Sequence, residues 1–465
     1  KAVEEGVGTI MTSYNSIDGI PCTSNKYLLT DVLRDQWGFK GFVYSDLTSI
    51  EGIVGARVAK NNKEAAVLAL KAGLDMDLGG NAYGKNLQKA LEEGAITMDD
   101  LNRAVANVLR LKFRMGLFEN PYVSPEQAKQ VVRSKTHKEL AREVAREGIV
   151  LLKNEGVLPL KKNIGSIAVI GPNADMMYNQ LGDYTAPQER EEIVTVLDGI
   201  RKAVSPSTKV NYVKGCAIRD VTTSNIPAAV EAARAADAVV LVVGGSSARD
   251  FKTKYIGTGA ADVSNDGNQL LSDMDCGEGY DRSTLRLLGD QEKLLEAVAA
   301  TGKPLVVIYI QGRTLNMNLA SEKAQALLTA WYPGEQGGTA IADVLFGDYN
   351  PAGRLPVSVP RSEGQLPLFY SQGKQRAYVE EEGTPLYAFG YGLSYTKFDY
   401  SQLELQKGNG KDVLQTVSCT VTNTGDCDGE EVVQLYICDK VASVSQSPIL
   451  LKAFERISLK IGESK

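Results

Sequence analysis

The sequence predicts an α/β protein with an all-β C-terminal end, and three observations predict it. Over residues 1–118, short β-rich runs alternate with amphipathic helices. Over residues 141–360 the strand runs are nearly continuous Val, Ile and Leu, as expected when both faces of a parallel sheet are covered. From about Thr396 the pattern becomes strand and turn alone. The length of 465 residues suits about three domains at roughly 100–200 residues each.

Taken in order, Val7–Ser13 is the first β-rich run. Ser24 stands where it would cap a helix with apolar residues at Leu28, Leu29, Val32 and Leu33, and Trp37-Gly38-Phe39 ends it. Gly41–Ser45 is a second strand, Lys63–Lys71 a helix and Leu74–Leu78 a third strand. Thr97-Met98-Asp99-Asp100 reads as a capping box opening the helix Asp100–Leu111. A βαβαβα order implies parallel strands with right-handed crossovers. Three strands cannot close a barrel, so residues 1–118 read as the last part of one. Pro121, Pro125 and a scarcity of apolar residues mark a linker over 119–140.

The second α/β region, 141–360, should have strands at Ile167–Ile170, Lys209–Val213, Ala238–Val243, Pro304–Ile310 and Ala326–Ala330. Its helices should include Gln291–Ala300 and Gly338–Phe346. Residues 361–395, rich in Pro, Gly and Tyr, read as an irregular linker. In 396–465, Val417–Val421 and Glu431–Ile437 are strand runs joined by the turn signal Asn423-Thr424-Gly425-Asp426. A seven-strand sandwich takes ~100 residues, so this region reads as an incomplete one. Lys1 leads at once into a helix end and a strand, with neither an initiator Met nor a signal peptide. The chain is therefore expected to be cut at both ends.

Composition removes several classes of function. With 51 Lys+Arg against 57 Asp+Glu, the net charge of −6 disfavours a nucleic-acid binder, which would show a basic face. No apolar run reaches the ~18 residues of a membrane span. There is one histidine, His137, in what reads as the solvated first turn of a helix. Ser-His-Asp and Cys-His catalysis need a histidine base, and zinc enzymes usually need two or three histidine ligands. The six cysteines, at 22, 216, 276, 419, 427 and 438, show no C-x-x-C spacing and are too sparse for a disulfide framework. Chemistry is left to carboxylates, tyrosines and lysines. No metal or organic cofactor is expected.

Asp46 stands just past the strand Gly41–Ser45, at its carboxyl end, where barrel enzymes keep their active-site residues. The competing reading is a helix N-cap. Tyr14 also follows a strand end and could line the same mouth, or be a partly buried loop tyrosine. The segment Gly244–Leu288 is far longer than the ~12–15 residues beyond which loops tend to be functional or disordered. It carries Asp250, Asp262, Asp266, Asp273, Asp275, Glu278 and Asp281. Glycines on each side of Glu278 would let its carboxylate project from a tight backbone, and Arg282 could pair with Asp281. The competing reading is a solvated acidic loop. Gly244-Gly245-Ser246-Ser247-Ala248 lacks the last glycine of a G-x-S-x-G elbow, and no G-x-G-x-x-G follows a strand. Two carboxylates, one at a strand end and one on a long loop, are the minimal equipment for hydrolysing a glycosidic bond.

Met11–Asn15 (MTSYN), the run from Leu28 to Trp37 and Gly41–Asp46 (GFVYSD) resemble glycoside hydrolase family 3. So do Gly148–Pro159 (GIVLLKNEGVLP), Gly277–Arg282 (GEGYDR), Trp331–Gly338 (WYPGEQGG), Asn350–Pro360 (NPAGRLPVSVP) and Phe389–Tyr395 (FGYGLSY). The resemblance implies the C-terminal part of a (β/α)8 TIM-type barrel, then an α/β sandwich domain, then a partial fibronectin type III-like β-sandwich. It implies a retaining, exo-acting β-glycosidase, a β-glucosidase first, with Asp46 as nucleophile and Glu278 as general acid/base. Tyr14 and Met11 match positions that line the sugar site. Leu47 stands where many β-glucosidases of the family have Trp, which puts an aromatic platform for the leaving group in doubt and gives weight to a β-xylosidase. The N-acetylglucosaminidase branch, which uses a histidine acid/base, is disfavoured. The implied partners are small β-glucosides or oligosaccharides, with a homodimer as an open oligomeric state. A periplasmic or secreted location would suit a scavenger of glycosides. The family's Lys-His motif and the acidic and Arg residues that grip the sugar hydroxyls have no counterpart in this segment. An inactive carbohydrate-binding fragment is therefore the rival from another class.

Overall fold

The computed structural model describes residues 1–248, 273–278, 281–373, 377–408 and 415–465. The chain separates into two compact units, Lys1–Gln130 and Val131–Lys465.

In the first unit, strand β1 (Thr9–Met11) is followed by a small antiparallel hairpin of β2 (Ser16–Ile17) and β3 (Ile20–Pro21). Asp18 and Gly19 make its turn, both at positive φ (51° and 79°), the Asp-Gly chemistry of a two-residue hairpin loop. Strand β4 (Phe42–Tyr44) pairs in parallel with β1, Thr9 opposite Phe42 and Met11 opposite Tyr44. The helix between them, Tyr27–Gln36, is wound with i→i+5 bonds and ends with the Trp37 amide donating to the Val32 carbonyl. Its first amides are not capped by Ser24, whose hydroxyl turns back to the Pro21 carbonyl. Asn25 accepts from the Leu28 amide at 3.2 Å instead.

Helices α1 (Ser49–Gly55), α2 (Asn62–Ala72), α3 (Gly84–Glu92) and α4 (Met98–Arg114) follow. Helix α4 opens on the expected capping box, with Thr97 and Asp100 each accepting the other's backbone amide. The core gathers Val43, Ile50, Ile53, Ala65, Ala69 and Leu74. The third strand expected at Leu74–Leu78 is reduced to one parallel bridge, Tyr44 to Met76. The reason lies in Asp75. Its fully buried carboxylate accepts the Val43 amide at 2.9 Å, so a side chain takes a donor that a ladder would use. Arg34 at 2.5 Å, the Asn107 amide of α4 at 3.0 Å and Arg103 at 3.6 Å also face it.

The region read as a linker is largely helical. Helix α5 (Pro125–Val131) begins on Pro125, which suits a first helical position because its missing N–H would have had no partner there. Helix α6 (Lys135–Gly148) is capped by Ser134.

The second unit is built on a six-stranded sheet. Its strands are β5 (Val150–Asn154), β6 (Ser166–Ile170), β7 (Lys209–Val213), β8 (Ala238–Gly244), β9 (Leu305–Ile310) and β10 (Ala326–Trp331). The order is β5-β10-β9-β8-β6-β7, parallel except for β5 at one edge. Strand β5 is not among the expected strands; the other five fall within two residues of their expected bounds. Between β6 and β10 lie α7 (Met177–Leu181), α8 (Val196–Ala203), α9 (Ile226–Arg234), α10 (Gln291–Ala299) and α11 (Asn318–Lys323), and α12 (Gly337–Leu345) follows β10.

Successive strand residues point to opposite faces. Ile167 and Val169 join one buried cluster with α6, α8 and α12, while Ala168 and Ile170 join another with α9, α10 and α11. That double covering is why the central strand β8 is buried and apolar along its whole length, while the edge strand β7 carries Lys209 and Asn211. Arg142 of α6 grips Asp343 of α12 with two bonds of 2.7 and 2.5 Å. Helices α8 and α12 cross at Gly199 and Gly338, where a Cβ on Gly338 would stand 1.8 Å from the Thr195 carbonyl oxygen.

The C-terminal part has two antiparallel pairs, β11 (Phe398–Lys407) with β12 (Gln415–Asn423) and β13 (Gly429–Ile437) with β14 (Leu450–Leu459). The turn signal at 423–426 therefore carries the chain from one pair to the other. Asn423, fully buried, holds it by donating to the Cys427 and Leu459 carbonyls and accepting from Thr396 at 2.7 Å.

Candidate active site

In the first unit, Asp46 lies two residues past β4. Ser45, fully buried, anchors that strand end by accepting the Leu78 amide at 2.8 Å. Asp46 is partly buried, and its Oδ1 accepts the Leu47 amide at 2.7 Å. The backbone then turns sharply through Thr48, a non-glycine residue at φ 56°, and enters α1 with the Ser49 amide donating to the Asp46 carbonyl. The Tyr14 hydroxyl donates to the Leu47 carbonyl oxygen at 2.8 Å. Thus Tyr14 and the Asp46-Leu47 turn, 33 residues apart, are joined directly. Met11, at the end of β1, is exposed opposite Tyr44. Beneath this rim, burial holds the Asp77 carboxyl above its ordinary range, and the nearby Glu51 carboxylate adds to the effect.

In the second unit, Glu278 is partly buried and its backbone amide donates to the Asp183 carboxylate at 3.1 Å. The segment around it is tied down at several points. Asp273 accepts three successive amides, from Ile218, Arg219 and Asp220, at 2.6, 2.8 and 3.2 Å. Asp275 accepts the Ser246 amide at 2.7 Å and forms a buried ion pair with Arg282. The expected pairing of Arg282 with Asp281 is corrected here. The Arg282 guanidinium goes to Asp275, because that carboxylate lies in the interior with it, while Asp281 on the surface pairs with Arg313 at 2.7 Å. Asp250, Asp262 and Asp266, and Gly279 and Tyr280 of the motif, lie outside the described residues. Asp183 and Arg313 are absent from the expected set of residues.

His137 sits in the first turn of α6, where its backbone amide donates to the Ser134 hydroxyl. Among the described residues, no group of three or more His, Cys, Asp or Glu side chains is arranged to hold a metal ion. Among the described residues, no helix is long and apolar enough to cross a membrane.

All six cysteines are free, and Cys22, Cys216 and Cys276 are buried. Burial, reinforced by neighbouring aspartates, pushes the Cys216 thiol up to about 12 and the Cys276 thiol up to about 11. Since only the thiolate reacts, these two stay inert at neutral pH. Iodoacetamide at pH 8 is expected to label exposed Cys438 first and to reach Cys22, Cys216 and Cys276 only after unfolding. Peptide mass spectrometry before and after denaturant checks this, and rapid native labelling of Cys276 would contradict it.

Comparison with known proteins gives these elements a family. Residues 1–111 match the glycosyl hydrolase family 3 N-terminal domain and residues 149–395 its C-terminal domain. Residues 431–465 match a fibronectin type III-like domain. The chain is 39% identical over 503 residues to the periplasmic β-glucosidase of Salmonella typhimurium, covering 100% of this chain and 62% of that protein. It is also 39% identical over 492 residues to a β-xylosidase of Formosa agariphila, covering 99% of this chain and 63% of that one. Among solved structures, it is similar to the β-glucosidase of Listeria innocua in complex with glucose, with a TM-score of 0.87 and 31% identity over 100% of this chain and 62% of that one. The chain belongs to glycosyl hydrolase family 3. It spans about six-tenths of the length of these relatives. Its fold class is accordingly α/β, with a TIM-type barrel portion, an α/β sandwich and a fibronectin type III-like end.

Proposed function

We propose that the protein is a retaining, exo-acting β-glucosidase, removing terminal β-D-glucosyl residues from small glucosides and oligosaccharides. What supports this is the seat of Asp46, two residues past the carboxyl end of the parallel strand β4, in a chain of this family. With Oδ1 held by the Leu47 amide, Oδ2 is the oxygen we assign to attack the anomeric carbon. The bond from that carbon to the leaving oxygen breaks as Glu278 delivers its proton. Water then attacks the same carbon from the vacated side, Glu278 takes its proton, and Asp46 leaves as a carboxylate. Two inversions retain the β configuration. We assign Tyr14, Met11 and Leu47 to the rim that contacts substrate. We also propose the division into barrel portion 1–118, linker 119–140, α/β sandwich 141–360, linker 361–395 and fibronectin type III-like part 396–465.

The same scaffold serves β-xylosidases, and the Formosa relative together with Leu47 favours that as the second reading. A panel of 4-nitrophenyl β-glucoside, β-xyloside and N-acetyl-β-glucosaminide separates the readings. The full-length protein is expected to show its highest kcat/KM on the glucoside and to release β-glucose before mutarotation, followed by proton NMR. First release of the α anomer would exclude double displacement. Highest kcat/KM on the xyloside would move the assignment to the second reading.

A further inference from the structure

We infer that Asp183 is a positioning residue for acid catalysis: its carboxylate holds the backbone of Glu278 so that the Glu278 side chain meets the leaving-group oxygen. The inference rests on the assignment of Glu278 as acid/base. Asp183 lies 95 residues from Glu278 in sequence, and its Oδ2 accepts the Glu278 amide at 3.1 Å. Its other oxygen, Oδ1, accepts the Tyr184 amide at 2.9 Å, which fixes the carboxylate's direction.

The turn that carries Asp183 has a distinctive backbone. Gly182 has φ 84° and Tyr184 has φ 59°, two left-handed residues flanking one aspartate. A non-glycine residue in that region costs energy and persists only where its surroundings impose it. The Tyr332 ring packs against the first of these two residues, Gly182. A Cβ on Gly182 would stand 2.9 Å from the ring, and one on Gly312 would stand 2.5 Å from it. The ring is therefore in close contact with both glycines. Arg313, the next residue after Gly312, pairs with Asp281 at the far end of the same catalytic segment. Asp183 thus belongs to a support that meets the segment at Glu278 and, through Arg313, again at Asp281.

The chemistry gives this a specific signature. A general acid matters in proportion to how poor the leaving group is, so displacing Glu278 slows phenyl β-glucoside far more than 2,4-dinitrophenyl β-glucoside. A displacement of ~1 Å can cost about 100-fold in rate. In the full-length enzyme, Asp183→Ala is expected to lower kcat/KM for the phenyl glucoside about 10–100-fold and for the dinitrophenyl glucoside by less than about 3-fold. Asp183→Asn, which keeps a carbonyl acceptor, is expected to recover most of the loss. Should Asp183→Ala not fold, Asp183→Glu, which moves the acceptor by one methylene, is expected to show the same leaving-group dependence. An equal loss on both substrates, or none on either, overturns the inference. Glu278→Ala run beside it keeps the two ideas apart. If Glu278→Ala shows the leaving-group dependence and the Asp183 variants do not, only the positioning role fails. If Glu278→Ala lacks it too, the acid/base assignment fails with it.

Discussion

Asp46→Gly in the full-length protein is expected to lower turnover of 4-nitrophenyl β-glucoside by about 10⁴-fold or more, because it removes the group that forms the covalent intermediate. The size of the loss matters less than the product that azide then yields. With the carboxylate gone, azide can enter the space it vacated and attack the anomeric carbon once. A single inversion turns a β-glucoside into α-glucosyl azide. In a Glu278→Ala enzyme the glycosyl-enzyme still forms on activated substrates, and azide intercepts it from the other face to give β-glucosyl azide. The two variants therefore differ in the sign of the product's configuration, which no general weakening of the protein can imitate. A thermal melt close to wild type should accompany Asp46→Gly, since Asp46 is only partly buried and its side chain bonds to the next residue's amide. Near wild-type turnover of Asp46→Gly would remove it from the mechanism. A loss of rate with no α-azide formed would make its role structural.

The readings that succeeded from sequence were those with a local cause. Strands β6, β8, β9 and β10 are visible because burial on both faces makes nearly every position apolar, as Val239 through Val243 show. The α4 capping box is visible because Thr97 and Asp100 are three residues apart and need no distant partner. Strand β5 escaped because it follows α6 after a single residue, Ile149, with no turn signal, and pairs antiparallel at the edge. The shrinking of Leu74–Leu78 to one bridge depends on Asp75 meeting Val43, Arg34 and Asn107, which come from three other parts of the chain.

The same divide runs through the site. Asp46 could be singled out from its place after a strand, and Glu278 from its flanking glycines. Asp183 could not, because its role is defined by a bond across 95 residues. The pairing of Arg282 was misread for a related reason. Asp281 is adjacent in sequence, but a guanidinium with 4% of its side chain exposed needs a carboxylate that is equally buried, and Asp275 at 2% is that group.

Asp275→Asn should accordingly be the most destabilising of the isosteric changes near Glu278, by ~3–5 kcal/mol. Asparagine keeps the shape of aspartate, so neither a cavity nor a clash accounts for the loss. The Ser246 amide, which donates to Asp275 at 2.7 Å, can still find an acceptor in the Asn carbonyl. What disappears is the carboxylate that pairs directly with a guanidinium that is almost wholly buried. The remaining bonds of Arg282, to the Thr284 and Arg286 carbonyls, satisfy donors without neutralising the charge. A cation left in the interior without a counter-ion costs far more than the intact pair contributes. The double variant Asp275→Asn with Arg282→Met removes the orphaned cation, so it should be more stable than Asp275→Asn alone, and the cycle would show a coupling of more than about 2 kcal/mol. Urea unfolding, followed by the fluorescence of Trp331 on β10 in a Trp37→Phe background, measures each corner of the cycle. Asp275→Asn within 1 kcal/mol of wild type would mean that water or a local rearrangement neutralises Arg282, and that the anchoring of the Glu278 segment depends on Asp273 and Asp183 instead.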